Sequence, residues 1–100
     1  MKVVLYQTVQ LKTFNKGWTT FTKSFESSTI PHKGDFIEDT IWKADNFQEV
    51  QSVVINYQNN FCYVNLPLVI LNTEDRVKLT EYENMARLHN WLPINESVVN

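Results

Sequence analysis

Strongly apolar residues are concentrated between Phe47 and Leu71, and this stretch predicts a long β-hairpin. Val, Ile, Tyr and Phe dominate the stretch, and these residues suit a pleated sheet better than a helix. Asn59-Asn60 favours a tight two-residue turn, because Asn tolerates the positive φ angles that such a turn requires. With that turn, one face of the hairpin becomes apolar. Its predicted pairs are Tyr57 with Cys62, Ile55 with Val64 and Val53 with Leu66.

The opposite face of this hairpin carries aromatic residues among amides. Its predicted pairs are Asn56 with Tyr63, Val54 with Asn65 and Gln58 with Phe61. Such a face is core if the N-terminal hairpin covers it, an interface if a protein partner does, or a stacking platform for single-stranded nucleic acid. The lack of surrounding Lys and Arg disfavours nucleic acid. The partner-binding residues of such an interface are Val54, Phe61 and Tyr63, with Trp42 as a further anchor.

The first quarter of the chain predicts a second hairpin. Residues 3–11 alternate, and Asn15-Lys16-Gly17 favours a three-residue loop with Gly at its left-handed position. The predicted pairs are Phe14 with Trp18, Leu11 with Phe21 and Gln7 with Phe25. One face is then apolar, except that Gln7 interrupts the alternation and Lys23 does not fit. The other face is rich in Thr and is expected to face solvent.

The segment after the long hairpin predicts one C-terminal amphipathic helix of roughly 17 residues. Asn72 or Thr73 can cap its start, and Leu92-Pro93 ends it. Trp91 is expected to pack against the sheet. The positions that recur at helical spacing are Val77, Leu79, Tyr82, Met85, Ala86, Leu88 and His89.

These elements together predict an α+β fold. We expect an antiparallel sheet, or a small and partly open barrel, of about five strands with one C-terminal α-helix packed across it. A chain of 100 residues fits one compact domain, which we place at residues 1–93, followed by a loose C-terminal tail at residues 94–100.

The turn before the long hairpin supports a family resemblance. Pro31-x-x-Gly34-Asp35-x-Ile37 reads as a tight turn that delivers a short strand. This turn, the polar segment after it and the long hairpin resemble the small SH3-like β-barrel proteins of bacteria and phages, many of them uncharacterised. The resemblance covers residues 30–70. It implies a compact barrel and a binding role, and it carries over no specific site residues.

Composition excludes several classes of function. Hydrophobic residues make up 43% of the chain and charged residues 20%, with a net charge of −2, which is a globular balance. No basic stripe is present to neutralise a phosphate backbone, so duplex DNA is not an expected partner. The longest apolar run, Leu68 to Leu71, is too short to span a membrane. The alternating N-terminus does not resemble a signal peptide, and the single cysteine fits a cytoplasmic protein.

The sequence offers few candidate catalytic or metal-binding residues. His32, Asp35, Glu38 and Asp39 form the one local cluster of titratable groups, which could bind a metal or act as an acid–base pair. A solvated turn is the favoured interpretation, because neighbouring side chains on a strand point to opposite faces. Gly-rich phosphate loops, nucleophile elbows and paired-Cys or His-Glu-x-x-His motifs are absent from the sequence, and Cys62 fits an inert core position. We therefore expect no catalytic residue, no cofactor and no metal.

The leading hypothesis for function is a small intracellular accessory protein, encoded by a phage or mobile element, that acts by binding another protein. Homodimerisation through a strand edge or the aromatic face is its companion hypothesis. The alternative is a small-molecule or nucleotide-binding module that uses His32, Asp35 and Trp42. A minimal enzyme that uses His32 with a carboxylate is the third hypothesis.

Overall fold

A computed structural model describes residues 1–42 and 46–94 of the chain and shows eight strands and one α-helix in that part. The strands are β1 (Lys2–Gln10), β2 (Trp18–Glu26), β3 (Phe36–Ile37), β4 (Gln48–Glu49), β5 (Ser52–Asn56), β6 (Phe61–Asn65), β7 (Val69–Ile70) and β8 (Leu92–Pro93). The helix is α1 (Arg76–Leu88), and a short 3-10 helix (Phe14–Lys16) joins β1 to β2. The predicted α+β class is confirmed. The predicted tail lies outside the described residues, apart from Ile94.

The main sheet has six strands in the order β5-β6-β1-β2-β8, with β7 also paired to β1. Strand β1 is antiparallel to β2 but parallel to β6 and β7. The expectation of an antiparallel sheet was therefore wrong. The physical reason is that the long hairpin joins the sheet through its second strand, which lies directly beside β1 and runs in the same direction. Over the described ranges the sheet stays open and no barrel closes, since β5 and β8 form its two ends.

The long hairpin forms with a register different from the predicted one. Cys62 lies opposite Ile55 rather than Tyr57, which is a shift of two residues. The turn takes four residues, 57–60, with Asn60 in the left-handed region at φ 59°. The side chain of Asn56 starts this turn by accepting a hydrogen bond of 3.0 Å from the Asn59 amide. Because the shift is an even number of residues, each side chain keeps its predicted face.

The N-terminal hairpin also keeps its faces and changes its register. Phe21 lies opposite Gln7 rather than Leu11, which is a shift of four residues. Leu11 leaves the ladder, donates its amide to Gly17 at 2.9 Å and is fully buried. Gly17 lies so close that a Cβ there would be 3.2 Å from both Leu11 and Leu79. The longer connection therefore buries Leu11 against the helix, which a three-residue loop does not allow.

A bulge separates β6 from β7 along β1. Pairing stops at Tyr6 with Asn65 and resumes at Val9 with Val69, so two residues of β1 face three residues of the other chain segment. Pro67 lies within this bulge, where its missing N–H interrupts no ladder.

One face of the main sheet holds the core. Helix α1 packs over β2 and β8, with the ring of Tyr82 5.7 Å from that of Phe21. The segment between β2 and β5 also packs against this face, through Trp42 and Val50. Trp91 is buried at 1% exposure, as expected. Cys62 is also buried, and this burial raises its thiol pKa against the smaller opposing effect of the chain's amino terminus, so the thiol stays neutral.

Helix α1 is shorter than predicted and begins later. Its N-cap is Asp75, whose side chain accepts a hydrogen bond of 2.9 Å from the amide of Val77, so the capping role predicted for Asn72 or Thr73 was wrong. The helix ends at Leu88, before Asn90 with φ 68°. Within the described residues, no helix is long and apolar enough to cross a membrane.

Candidate protein-binding surface

The second face of the main sheet points away from the core, and we call it the outer face. It comprises the even-numbered residues of β1 and the residues that lie beside them on the neighbouring strands. Helix α1 and the segment between β2 and β5 pack on the opposite side, so across the described residues no element lies over the outer face. Val54 on this face is 57% exposed, whereas Val64 on the core face of the neighbouring strand is fully buried.

An aromatic cluster lies at one end of the outer face. The rings of Phe61 and Tyr63 are 4.8 Å apart with one edge against the other ring's face, and Tyr63 is 5.4 Å from Tyr6 in a similar geometry. Val54 lies directly opposite Tyr63 in the hairpin. The structure therefore brings together the predicted residues Val54, Phe61 and Tyr63. Tyr6 was missed, because the sequence does not indicate that β1 pairs with β6.

The tyrosine hydroxyls add polar groups to this cluster. Burial raises the pKa of Tyr6, and the nearby Tyr63 raises it further. The Tyr6 hydroxyl is therefore neutral at physiological pH and can both donate and accept hydrogen bonds.

The outer face is almost free of charge. Among the described positions on it, the charged residues are Lys2 and Glu26, which lie opposite each other at one end of the β1–β2 ladder. The remaining positions carry apolar, hydroxyl or amide side chains. Depletion of charge together with aromatic enrichment is typical of the centre of a protein interface.

A second exposed aromatic pair lies at the other end of the sheet. Trp18, the first residue of β2, stacks on Phe14 with ring centres 5.5 Å apart, and both side chains are about half exposed. Ile70 lies on the far side of Gln10 from Trp18 and is also exposed. Exposed apolar side chains thus occur at both ends of the outer face.

Trp42 is not on the outer face. Its side chain is 8% exposed in the core, its ring centre lies 5.9 Å from that of Trp91, and its indole nitrogen donates to Gln7. Trp42 is therefore not the exposed anchor that the sequence predicted. The polar segment around Trp42 suggested exposure, whereas the buried amide of Gln7 provides the partner that an indole N–H requires in a core.

The alternative ligand residues do not form one site. His32 and Asp35 form a turn at the surface, where the amide of His32 donates to Asp35 Oδ2 at 2.8 Å and the imidazole lies 3.7 Å from the same oxygen. Trp42 does not join them, because it is buried in the core. Asp39 also leaves the predicted cluster and pairs with Lys23. In the described parts of the chain, no group of three or more His, Cys, Asp or Glu side chains is arranged to hold a metal ion.

An open depression of about 410 Å³ lies between α1 and the segment after β7. Leu71, Tyr82 and Met85 supply most of its apolar lining. Lys78 and Glu81 also line it and form an exposed ion pair with each other at 3.4 Å. None of the predicted ligand residues lines it.

No protein-family model matches the chain, and neither a curated protein nor a solved structure matches it.

Proposed function

We propose that this protein is an accessory protein that acts by binding another protein through the aromatic end of its outer face. The observation that carries the proposal is a nearly uncharged sheet face, with Val54 57% exposed beside the ring cluster of Phe61 and Tyr63. A partner that fits this end presents an apolar surface with a few hydrogen-bonding groups, for the tyrosines and for Lys2 and Glu26, which lie at the same end.

The energetics favour a protein partner. Full burial of a large apolar side chain stabilises by roughly 1.5–3 kcal/mol, and side chains that are already half buried can gain about half of that. Val54, Phe61, Tyr63 and Tyr6 are ordered by the sheet before binding, so little conformational entropy is lost when a partner covers them. Aromatic side chains that are held in this way are typical of the residues that dominate binding energy.

Affinity capture tests the proposal when it compares three forms of the protein. Wild type is compared with the Phe61→Ser, Tyr63→Ser double variant and with Phe36→Ser, a control that removes a ring 67% exposed on β3. A captured protein is identified by mass spectrometry, purified and titrated against all three forms. We expect wild type and Phe36→Ser to bind it equally and the double variant to bind at least about 100-fold more weakly.

Two results would contradict the proposal. One is equal binding of the purified partner by all three forms. The other is loss of the folded circular-dichroism spectrum in the double variant, because that loss identifies the outer face as core.

The small-molecule alternative stays a prediction. A nucleotide or metabolite that raises the melting temperature of wild type in a dose-dependent way, but not that of a His32→Ala variant, would favour it.

A further inference from the structure

Strand β5 forms an open edge of the main sheet. It is the last strand in the order β5-β6-β1-β2-β8, and within residues 1–42 and 46–94 no strand pairs with its other side. Its sequence is Ser-Val-Val-Ile-Asn, with Val54 57% and Ile55 38% exposed. Sheet edges in monomeric proteins are usually protected by Lys, Pro or a bulge. Strand β5 contains neither Lys nor Pro. A bulge lies only at its start, where Gln51 and Ser52 both face Asn65.

The ladder determines which backbone groups of β5 are free for pairing. The amide of Lys2 donates to Asn60 and that of Leu66 to Tyr6, so the even-numbered residues of β6 direct their backbone groups toward β1. The odd-numbered residues of β6 therefore pair with Ser52, Val54 and Asn56 of β5. By the alternation of an antiparallel ladder, the N–H and C=O groups of Val53 and Ile55 point to the open edge.

This arrangement is self-complementary. If two β5 strands pair antiparallel about Val54, Val53 of each copy lies opposite Ile55 of the other as a hydrogen-bonded pair. Val54 then meets Val54, and Ser52 meets Asn56, so apolar residues face apolar ones and polar residues face polar ones. The neighbouring registers that use the same backbone groups place Val54 opposite Ser52 or Asn56 instead. No charge opposes another, because β5 carries none.

We propose that two copies of this chain form a symmetric dimer by antiparallel pairing of their β5 edges. The two Val54 residues then face each other across the two-fold axis. The pairing makes four backbone hydrogen bonds and joins the two main sheets into one. Directly opposed side chains in an antiparallel pair lie on the same face. The outer faces of both copies therefore form one surface, with a ring cluster on each side of the Val54 pair.

This inference goes beyond the proposed function, because it concerns the backbone edge of β5 and needs no second kind of protein. The paired strands are short, so we expect a weak dimer that forms at micromolar or higher concentration. Sedimentation velocity of the purified protein, up to about 500 μM, measures its dissociation constant.

Charge substitutions at Val54 test the register. In Val54→Lys, two ammonium groups face each other across the two-fold axis. In Val54→Glu, two carboxylates do so. Each variant is therefore expected to dimerise at least about tenfold more weakly than wild type. An equimolar mixture of the two variants is expected to recover dimerisation. Ser24→Lys, an exposed outer-face control on β2, is expected to leave the dimer unchanged. The Phe61→Ser, Tyr63→Ser variant is also expected to dimerise, which separates this proposal from the proposed function.

Cross-linking gives an independent test. Opposed residues of an antiparallel pair have Cβ atoms about 4.5–5.5 Å apart, and the non-hydrogen-bonded pairs are the closer ones. This approaches the roughly 3.5–4.5 Å that a disulfide needs, so Val54→Cys with a mild oxidant is expected to give a disulfide-linked dimer and Ser24→Cys is not. Three results would each overturn the proposal: a wild-type protein that is monomeric at the highest concentration, a mixture of charge variants that does not dimerise, or equal cross-linking of the two cysteine variants.

Discussion

The side-chain oxygen of Gln7 accepts a hydrogen bond of 3.0 Å from the indole nitrogen of Trp42, and this bond joins the central strand to the segment that covers it. The amide nitrogen of Gln7 donates to the carbonyl of Pro67 at 2.9 Å and to the side chain of Gln48 at 3.1 Å. Gln7 is 3% exposed. The bulge at Pro67 directs a backbone carbonyl toward this buried amide, so the bulge and the polar core residue depend on each other.

We expect Gln7→Leu to lower the free energy of unfolding by about 2–4 kcal/mol, because it leaves the buried indole N–H of Trp42 and the partly buried Pro67 carbonyl without Gln7 as a partner. Urea denaturation followed by circular dichroism measures the change. Gln10→Leu is the matched control, since Gln10 lies on the outer face of the same strand and its amide donates to the carbonyl of Leu11 at 3.3 Å. An equal loss in both variants would show that the buried hydrogen bonds of Gln7 do not stabilise the fold.

Alternation predicted the faces of both hairpins but not their registers. A shift of two or four residues keeps every side chain on its face, so a wrong loop length does not change the pattern of burial. The loop lengths depend on contacts that a linear pattern does not contain. In the long hairpin the contact is the Asn56 side chain at the turn, and in the N-terminal hairpin it is the burial of Leu11 beside Leu79.

The neighbours of each strand could not be predicted either. Alternation indicates which side chains share a face and says nothing about which strand lies alongside. The parallel pairing of β1 with β6 adds Tyr6 to the ring cluster, and it was not expected. The sequence identified Val54, Phe61 and Tyr63 as one face, but it misplaced Trp42, whose partner Gln7 is 35 residues away.

Lys23, which did not fit the predicted apolar face, forms an ion pair on the core side of the sheet. Its Nζ lies 2.6 Å from Asp39 Oδ2, and the two side chains are 22% and 12% exposed. Asp39 Oδ1 accepts hydrogen bonds from the amide of Ile41 at 3.1 Å and from the indole of Trp91 at 3.3 Å. Burial alone would raise the pKa of Asp39, but these hydrogen bonds and the charge of Lys23 outweigh it and hold the pKa below its ordinary value.

The lowered pKa of Asp39 predicts a loss of stability in acid. A carboxyl whose pKa is lower in the folded than in the unfolded state stabilises the fold fully above its ordinary pKa, and the contribution disappears as the pH falls through the folded-state value. We expect Asp39→Asn to lower the free energy of unfolding by roughly 1–3 kcal/mol at neutral pH and by less in acid. Urea denaturation between about pH 7 and pH 2.5 measures the difference. Glu38→Gln, an exposed control, is expected to follow wild type, and a constant deficit of Asp39→Asn at every pH would contradict the assignment.

The start of α1 offers a direct comparison between the predicted cap and the observed one. Asp75→Ala removes the acceptor for the amide of Val77, so we expect a loss of about 1 kcal/mol in the free energy of unfolding. Asn72→Ala removes one of the two predicted caps and is expected to change stability by less than about 0.5 kcal/mol. Chemical denaturation of both variants measures the contrast. A larger loss at Asn72 would mean that the helix begins earlier in solution.

Two valines in the long hairpin test directly whether the outer face is open. Val64 is fully buried on the core face of β6, whereas Val54, on the outer face of β5, is 57% exposed. Val→Ala removes the same atoms at both sites, so the difference between the variants reports burial rather than chemistry. We expect Val64→Ala to lower the free energy of unfolding by about 2–3 kcal/mol, because it leaves a cavity in a packed core.

For Val54→Ala we expect a loss below about 1 kcal/mol, since water already reaches most of that side chain. Urea denaturation at a protein concentration below that at which dimers form isolates the monomer, because association would add its own stabilisation. If the monomer loses as much from Val54→Ala as from Val64→Ala, another part of the chain covers the outer face. That face could then not receive a partner without first being uncovered, and the proposed function would fail.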